Sequence, residues 1–333
     1  MTHCPDTTRP LLTPRDLQLQ DAVDVLDAAR SVTILCHVQP DADTIGSGLA
    51  LGIVFARKGI PVQVAFASPA ELPISMDDLP GRHLLARVDD VADEVDLLVT
   101  VDCGSAGRLG SLASRLDGAR QSLVIDHHRS NTRFGMLNVV DDSAESTTAV
   151  LAKLFDLWGV TIDADLAHCL FAGLVTDTGS FRWGQAGTHT LAERLLGTGI
   201  DGAAITRRLL DTHPFGWLPM LGSVLSSAVL VADAVGGRGL VHAVIRCSDS
   251  AGLGAEEVES VIDIVRTTAE AEVAAVFKEL TPNSWSVSLR SKEAVDVAAV
   301  AERLGGGGHR FAAGYTASGP SETVVAALRE VLD

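Results

Sequence analysis

Aromatic side chains are scarce in this chain: one tyrosine, four tryptophans and nine phenylalanines make up 4% of 333 residues. The core must therefore come from aliphatic residues, and a hydrophobic content of 47%, built from Ala, Val and Leu, supplies a large one. That profile fits soluble α/β architecture better than a disordered or disulfide-stapled chain. Cysteine is sparse as well. Cys4, Cys36, Cys103, Cys169 and Cys247 are odd in number and contain no CxxC pair, which argues against a disulfide scaffold and for a reducing compartment. Positive charge is also short: 26 Lys and Arg against 43 Asp and Glu leave a formal charge of −17. Proteins that grip long nucleic acid by its backbone carry a basic face, so no long nucleic acid is expected as a partner, while a small anion remains open given a local positive site. No apolar run reaches transmembrane length, and no membrane partner is expected. The opening "MTHCPDTTRPLLTPRD" lacks the apolar stretch of a secretory leader. It reads as a flexible tail over 1–16, and a cytoplasmic location is expected.

The length suits two domains. Apolar residues at helical spacing predict a helix over 17–30. "SVTILC" (31–36), "VQVAF" (62–66), "VDLLVTV" (95–101) and "QSLVI" (121–125) read as strands, and "GSGLALGIVFARKG" (46–59) as a helix between the first two. Apolar runs buried on both faces and alternating with helices argue for a parallel sheet. Helices are predicted at 147–159 and 163–179, and a helical stretch without strand signals covers 184–228. Beyond it, strands at 239–247, 271–280 and 284–291, a helix at 296–304 and "GGGGHRFAAGYT" (305–316) predict a smaller mixed sheet.

Three of the early strands end in an acid or a histidine: His37, then Asp102, then Asp126-His127-His128. In open α/β sheets, ligands gather outside the carboxyl ends of the strands. "HVQPDAD" adds Asp41 and Asp43 behind His37, and the helix over 163–179 delivers Asp177. Oxygen donors with a minority of imidazoles suit Mn²⁺, Mg²⁺ or Co²⁺, and the absence of thiolates argues against structural zinc. One ion rarely takes four carboxylates, whereas two ions sharing a bridging carboxylate use them all. Such a pair, about 3.5–4 Å apart, activates water and holds both oxygens of a phosphoryl transfer. His128 either reaches the substrate phosphate as a donor or general acid or orients a neighbour. Asp126 is expected to hold the ring of a liganding histidine.

In the C-terminal region, four consecutive glycines (305–308) allow close backbone approach and N–H contact with an anion. His309, Arg310, Arg290 and Lys292 lie nearby in sequence order to supply positive charge. "GSGLALG" (46–52) has the outline of a dinucleotide fingerprint, but a helix packed closely on a sheet explains it better. Cys36 and Cys103 are expected as buried small residues. Phe181 or Trp183 could stack on a base, and either could equally be core.

"HVQPDAD", "TVDCG", "DHH" and "VTDTG" resemble the four motifs of the DHH phosphoesterase superfamily, and "LRS" with "GGGGHRFAAG" resembles the nucleotide-binding motif of its DHHA1 domain. The resemblance spans about residues 20 to 320, and the length and "GGGGH" text are similar to the NrnA-like branch. It implies a parallel-sheet DHH catalytic domain over 17–183, a helical linker over 184–228 and a smaller mixed-sheet α/β DHHA1 domain over 229–333, with the active site in the cleft between domains. It implies two Mn²⁺ per chain, with Mg²⁺ or Co²⁺ as substitutes: one on His37, Asp41 and Asp102, the other on Asp43, Asp102, His127 and Asp177, with Asp102 bridging. His128 would contact the scissile phosphate, and Arg290, Ser291, Gly305, Gly306, Gly307, Gly308 and His309 would bind the rest of the nucleotide. The substrates implied are cyclic di-AMP, pApA, two- to four-residue RNA and 3′-phosphoadenosine 5′-phosphate (PAP), cleaved to nucleoside monophosphates by a homodimer. Gln39, Pro40 and Ala42 depart from the commoner text of the first motif, none of them a ligand position. A manganese inorganic pyrophosphatase shares the metal motifs but carries a lysine- and arginine-rich phosphate clamp in place of "GGGGHRFAAG". A non-catalytic nucleotide-sensing module would be favoured by a broken ligand set, and here every position is filled.

Overall fold

The computed structural model describes residues 14–333, in two compact units that divide after Leu210. Thirteen residues of the expected tail, Cys4 among them, lie outside the described part. Helix α1 (Pro14–Ala28) starts three residues before the predicted 17. Among the described residues no helix is long and apolar enough to cross a membrane.

The first unit continues with β1 (Val32–Leu35), α2 (Ala42–Arg57), β2 (Val62–Ala65), β3 (Val95–Val101), β4 (Ala119–Asp126) and β5 (Leu137–Val140). After these come α3 (Thr147–Leu157), α4 (Ala164–Asp177), α5 (Ala186–Leu196) and α6 (Gly202–Leu210). The strands form one sheet in the order β2-β1-β3-β4-β5, and every pair is parallel, as the doubly buried apolar runs require. From β1 the chain moves to the edge strand β2, then returns to place β3 on the other side of β1. The order reverses between β1 and β3, the position where such sheets bind ligands. Leu35 stands opposite Thr100 and Val101 opposite Ile125, so the carboxyl ends of β1, β3 and β4 are level.

Helix α2 begins at Ala42, four residues before the predicted start. Asp41 is its N-cap and accepts from the amides of Asp43 and Thr44 at 3.1 and 3.0 Å. The prediction placed the boundary at the glycines, yet these glycines serve packing. A Cβ on Gly46 would lie 2.4 Å from the Cys169 carbonyl oxygen of α4, and one on Gly48 would lie 2.8 Å from Cys36 Sγ. Cys36 and Cys103 are fully buried, and burial pushes the Cys103 thiol up to about 12.

The second unit opens with α7 (Trp217–Ser226), β6 (Val229–Val231), a one-turn α8 (Ala234–Gly237), β7 (Leu240–Ile245) and α9 (Ala255–Val265). It ends with β8 (Val273–Thr281), β9 (Ser284–Ser291), α10 (Val297–Arg303), β10 (Gly307–His309), β11 (Ala312–Ser318) and α11 (Ser321–Leu332). The helical stretch over 184–228 is thus divided, α5 and α6 belonging to the first unit and α7 to the second. The sheet order is β10-β11-β9-β8-β7-β6, with β7 and β8 parallel and the other pairs antiparallel. Val261 of α9 and Met220 of α7 pack on one face with Val241, Ala274 and Val276. Val297 of α10 and Leu328 of α11 pack on the other with Phe277, Val287 and Leu289. The glycine run is only partly a loop, since Gly307 and Gly308 pair with Gly314 and Ala313 as strand. A Cβ at Gly308 would meet the Ala312 carbonyl oxygen at 2.6 Å, and its φ of +144° favours glycine independently.

Candidate metal centre

Six sequence-predicted residues meet at the level carboxyl ends of the first sheet. His37 follows β1, Asp102 follows β3 and His127 follows β4, while Asp41 and Asp43 open α2 and Asp177 closes α4. Asp102 lies between the others. Its Oδ2 is 3.4 Å from His37 Nε2 and its Oδ1 is 3.5 Å from His127 Nε2, so one carboxylate faces two histidines with different oxygens. Its backbone is left-handed, at φ 56°, a conformation uncommon for residues with a side chain but one that aspartate tolerates better than most. His37 Nε2 is also 3.5 Å from Asp41 Oδ2. His127 Nε2 is 3.2 Å from Asp177 Oδ2 and 4.0 Å from Asp43 Oδ2.

Donor atoms of His37, Asp41 and Asp102 lie within 4.8 Å of one another, as do those of Asp43, Asp102 and His127. Both triads use Asp102. The rings are oriented for Nε2 ligation, because His37 Nδ1 lies 2.9 Å from the Val38 carbonyl and His127 Nδ1 lies 3.2 Å from that of Ala144. A proton on Nδ1, donated to these oxygens, leaves the Nε2 lone pair facing the carboxylates.

Electrostatics point the same way. Burial, then the charges of Asp177 and Asp102, raise the Asp43 carboxyl well above its ordinary range. Burial with the charges of Asp102 and Asp41 pushes Asp177 up to about 6, although the His127 hydrogen bond opposes it. Burial alone would depress His37, but Asp41 and Asp102 outweigh it and raise the imidazole to about 10. Burial would raise Asp102 too, yet the His37 hydrogen bond and the three histidine charges hold it far below the usual carboxylate range. The cluster thus draws in positive charge. Hard oxygen donors with two imidazoles, grouped in two triads around a shared carboxylate, fit divalent cations.

Asp126 corrects one expectation. It is buried and receives the His128 ring Nδ1–H at 2.8 Å, the His127 and His128 amides at 2.7 and 3.2 Å, and the Asn131 side-chain amide at 2.5 Å. It therefore orients His128, not the ring of His127, because the β4 turn carries the His127 imidazole away towards Ala144.

Several contributors escaped the sequence reading. Helix α3 aims its N-terminus at Asp43, the Thr147 amide donating to Oδ2 at 2.6 Å and the Thr148 amide to Oδ1 at 3.0 Å. The Thr148 hydroxyl adds a bond to Asp43 at 2.7 Å and the Thr147 hydroxyl one to Asp102 at 2.9 Å. A helix N-terminus favours anions, and "STT" before an apolar helix, with Ser146 as N-cap, was the available signal. Arg108 brings Nη2 to 3.1 Å from His37 Nδ1; with the proton on Nδ1 this places a positive charge beside the ring and makes no hydrogen bond to it. It lies 71 residues away in sequence, and no local signal pointed to it.

In the second unit, Ala312 pairs with His309 on one side and with Arg290 on the other. Cross-strand partners share a sheet face, so His309 and Arg290 form one row. The Ser291 hydroxyl donates to the Val295 carbonyl at 2.6 Å, a local turn bond. Gly305 adopts φ 82° between α10 and β10, and Gly306 passes so close to β11 that a Cβ would lie 2.1 Å from the Gly314 carbonyl oxygen.

Two family models match the chain: the DHH family N-terminal domain over residues 31–174 and the DHHA1 domain over 236–333. A bifunctional oligoribonuclease and PAP phosphatase NrnA from Thermus thermophilus is 34% identical over 330 residues, covering 93% of each chain. The NrnA of Bacillus subtilis is 25% identical over 283 residues, covering 84% of this chain and 86% of its own. Among solved structures, an exopolyphosphatase-related protein from Bacteroides fragilis superposes with a TM-score of 0.84 at 23% identity, over 96% of this chain and 97% of its own, which shows a shared fold. The chain belongs to the DHH–DHHA1 phosphoesterase family, in the branch of the NrnA proteins.

Proposed function

We propose that this hydrolase is a two-metal phosphodiesterase and phosphatase of short nucleotides, releasing nucleoside monophosphates. The observation that carries the proposal is the split of Asp102 between His37 and His127, the arrangement a carboxylate shared by two ions requires. His37 and Asp41 complete one ligand set, and Asp43, His127 and Asp177 the other. Manganese is the proposed ion, with magnesium or cobalt as substitutes. When bound, two such ions acidify a water and hold the attacking and leaving oxygens of a phosphoryl group.

The side chains around them have separate tasks. Thr147 and Thr148 hold Asp43 and Asp102 in place. Asp126 fixes the His128 ring through Nδ1, so that its other nitrogen can donate to a phosphate oxygen as charge develops. On the second unit, the Arg290–His309 row and the neighbouring glycines are proposed to bind nucleotide phosphate.

Short RNA and PAP as substrates are supported by the names of the NrnA relatives. Cyclic di-AMP and pApA present the phosphodiester that short RNA presents, whereas PAP presents a 3′-phosphomonoester. Side-by-side turnover of these four compounds in Mn²⁺ tests the proposal. Hydrolysis of at least one is expected, lost reversibly on chelation and abolished in Asp102→Ala. Full activity after exhaustive metal removal would overturn it.

A further inference from the structure

Resting on the nucleotide chemistry proposed above, we infer that Trp183 is a stacking platform for a base of the substrate. Asp177 closes α4, and the next residues run Gly179, Ser180 and Phe181 at φ 54°, 59° and 67°. Three successive left-handed residues, two of them with side chains, form a disfavoured turn. Its surroundings hold it: the Ser180 amide donates to the Val175 carbonyl at 2.7 Å, and the Phe181 amide to the buried Thr178 hydroxyl at 3.1 Å.

The turn sorts the two aromatics. Phe181 packs against the main core, with ring centroids 6.2 Å from Phe171 and 5.5 Å from His189. Trp183 goes outward. Its indole Nε1–H donates to the Asp177 carbonyl at 2.6 Å, and its ring lies on Gly179, where a Cβ would come within 2.2 Å of Cη2 and 2.3 Å of Cζ2. Nearly half of the residue, 48%, is nonetheless exposed. A large aromatic that satisfies its polar atom, rests on a glycine and keeps so much surface in water gains little from burial. Stacking on a base requires a π surface held in place, and the indole hydrogen bond and the glycine contact hold this ring.

Its placement selects the partner. The carbonyl it holds belongs to the residue whose Oδ2 lies 3.2 Å from His127 Nε2, so the ring is tethered one residue from the metal centre. A phosphate bound there brings the base of its own nucleoside within reach. Every base has a π face, so Trp183 would select nucleotides over base-free phosphates without choosing among bases.

Trp183→Leu and Trp183→Phe test this, with pApA and its analogue lacking both bases as substrates. In Trp183→Leu, kcat/KM on pApA is expected to fall about 10- to 100-fold, while the base-free analogue changes less than about 2-fold and calorimetric Mn²⁺ affinity is unchanged. Trp183→Phe should retain most of the wild-type value. AMP should quench the indole fluorescence of the wild type and not that of Trp183→Leu. Equal losses on both compounds with weakened Mn²⁺ binding would make Trp183 a brace for Asp177 and overturn the platform, as would unchanged rates on both. Should the wild type turn over neither compound, pApA drops out as a substrate while the nucleotide proposal is still decided by the other three compounds, and quenching by AMP decides the platform.

Discussion

Asp126 is fully buried and accepts from two amides, one imidazole and one side-chain amide. Only the ring bond bears on chemistry, because it fixes which His128 nitrogen faces outward. Asp126→Asn is expected to lower kcat about 10- to 100-fold, the range for losing an orienting partner. Mn²⁺ affinity should hold, since His127 is oriented by the Ala144 carbonyl instead. Calorimetry beside steady-state kinetics checks both halves, and a matching loss of affinity would mean that Asp126 supports the ligands themselves. The sequence "DHH" made these three residues legible as a group. Which histidine Asp126 serves was not, because it depends on how the chain turns after β4.

At the scale of elements, the contact between α2 and α4 sets the centre. A Cβ on Gly173 of α4 would lie 2.3 Å from Asp43 Oδ1 and 2.6 Å from Thr148 Cγ2. Gly46 on α2 is equally tight, but against the Cys169 carbonyl. Gly46→Ala and Gly173→Ala should each cost about 1–3 kcal/mol from overpacking. Only Gly173→Ala should also weaken Mn²⁺ binding, by roughly 10-fold or more as Asp43 is displaced. Melting curves and Mn²⁺ titration of the two variants separate packing from ligand geometry. Element boundaries near the centre were the least legible. Asp41 is cap and candidate ligand at once, so α2 starts inside the motif, and the glycine run pairs as β10 only because β11 lies beside it.

For the whole molecule, the consequence is a coupling of stability to pH and metal. His37 is raised above its ordinary value to about 10, so its stabilising share is complete below about pH 6.5 and is lost as pH rises through 10. Asp177 is raised to about 6, so its burial is tolerated while protonated and becomes costly as pH rises from its ordinary range through 6. Both effects make the metal-free protein less stable on going from pH 6 to pH 8. Ligation needs the deprotonated forms, so the rise in melting temperature produced by Mn²⁺ should be larger at pH 8 than at pH 6. Melts with Mn²⁺ and with chelator at the two pH values check this, and an increment that shrinks with pH would contradict it.

The parallel sheet, the smaller mixed sheet and the run of acids and histidines at strand ends were determined by the sequence alone. Apolar periodicity and contiguous motifs are local properties, readable without knowing what lies next to what. Tertiary structure alone decided that Asp102 divides its oxygens between His37 and His127, that α3 points its first amides at Asp43, and that Phe181 turns inward while Trp183 turns out. Each of these depends on segments distant in sequence being packed to within a few ångströms, and sequence spacing carries no record of that distance.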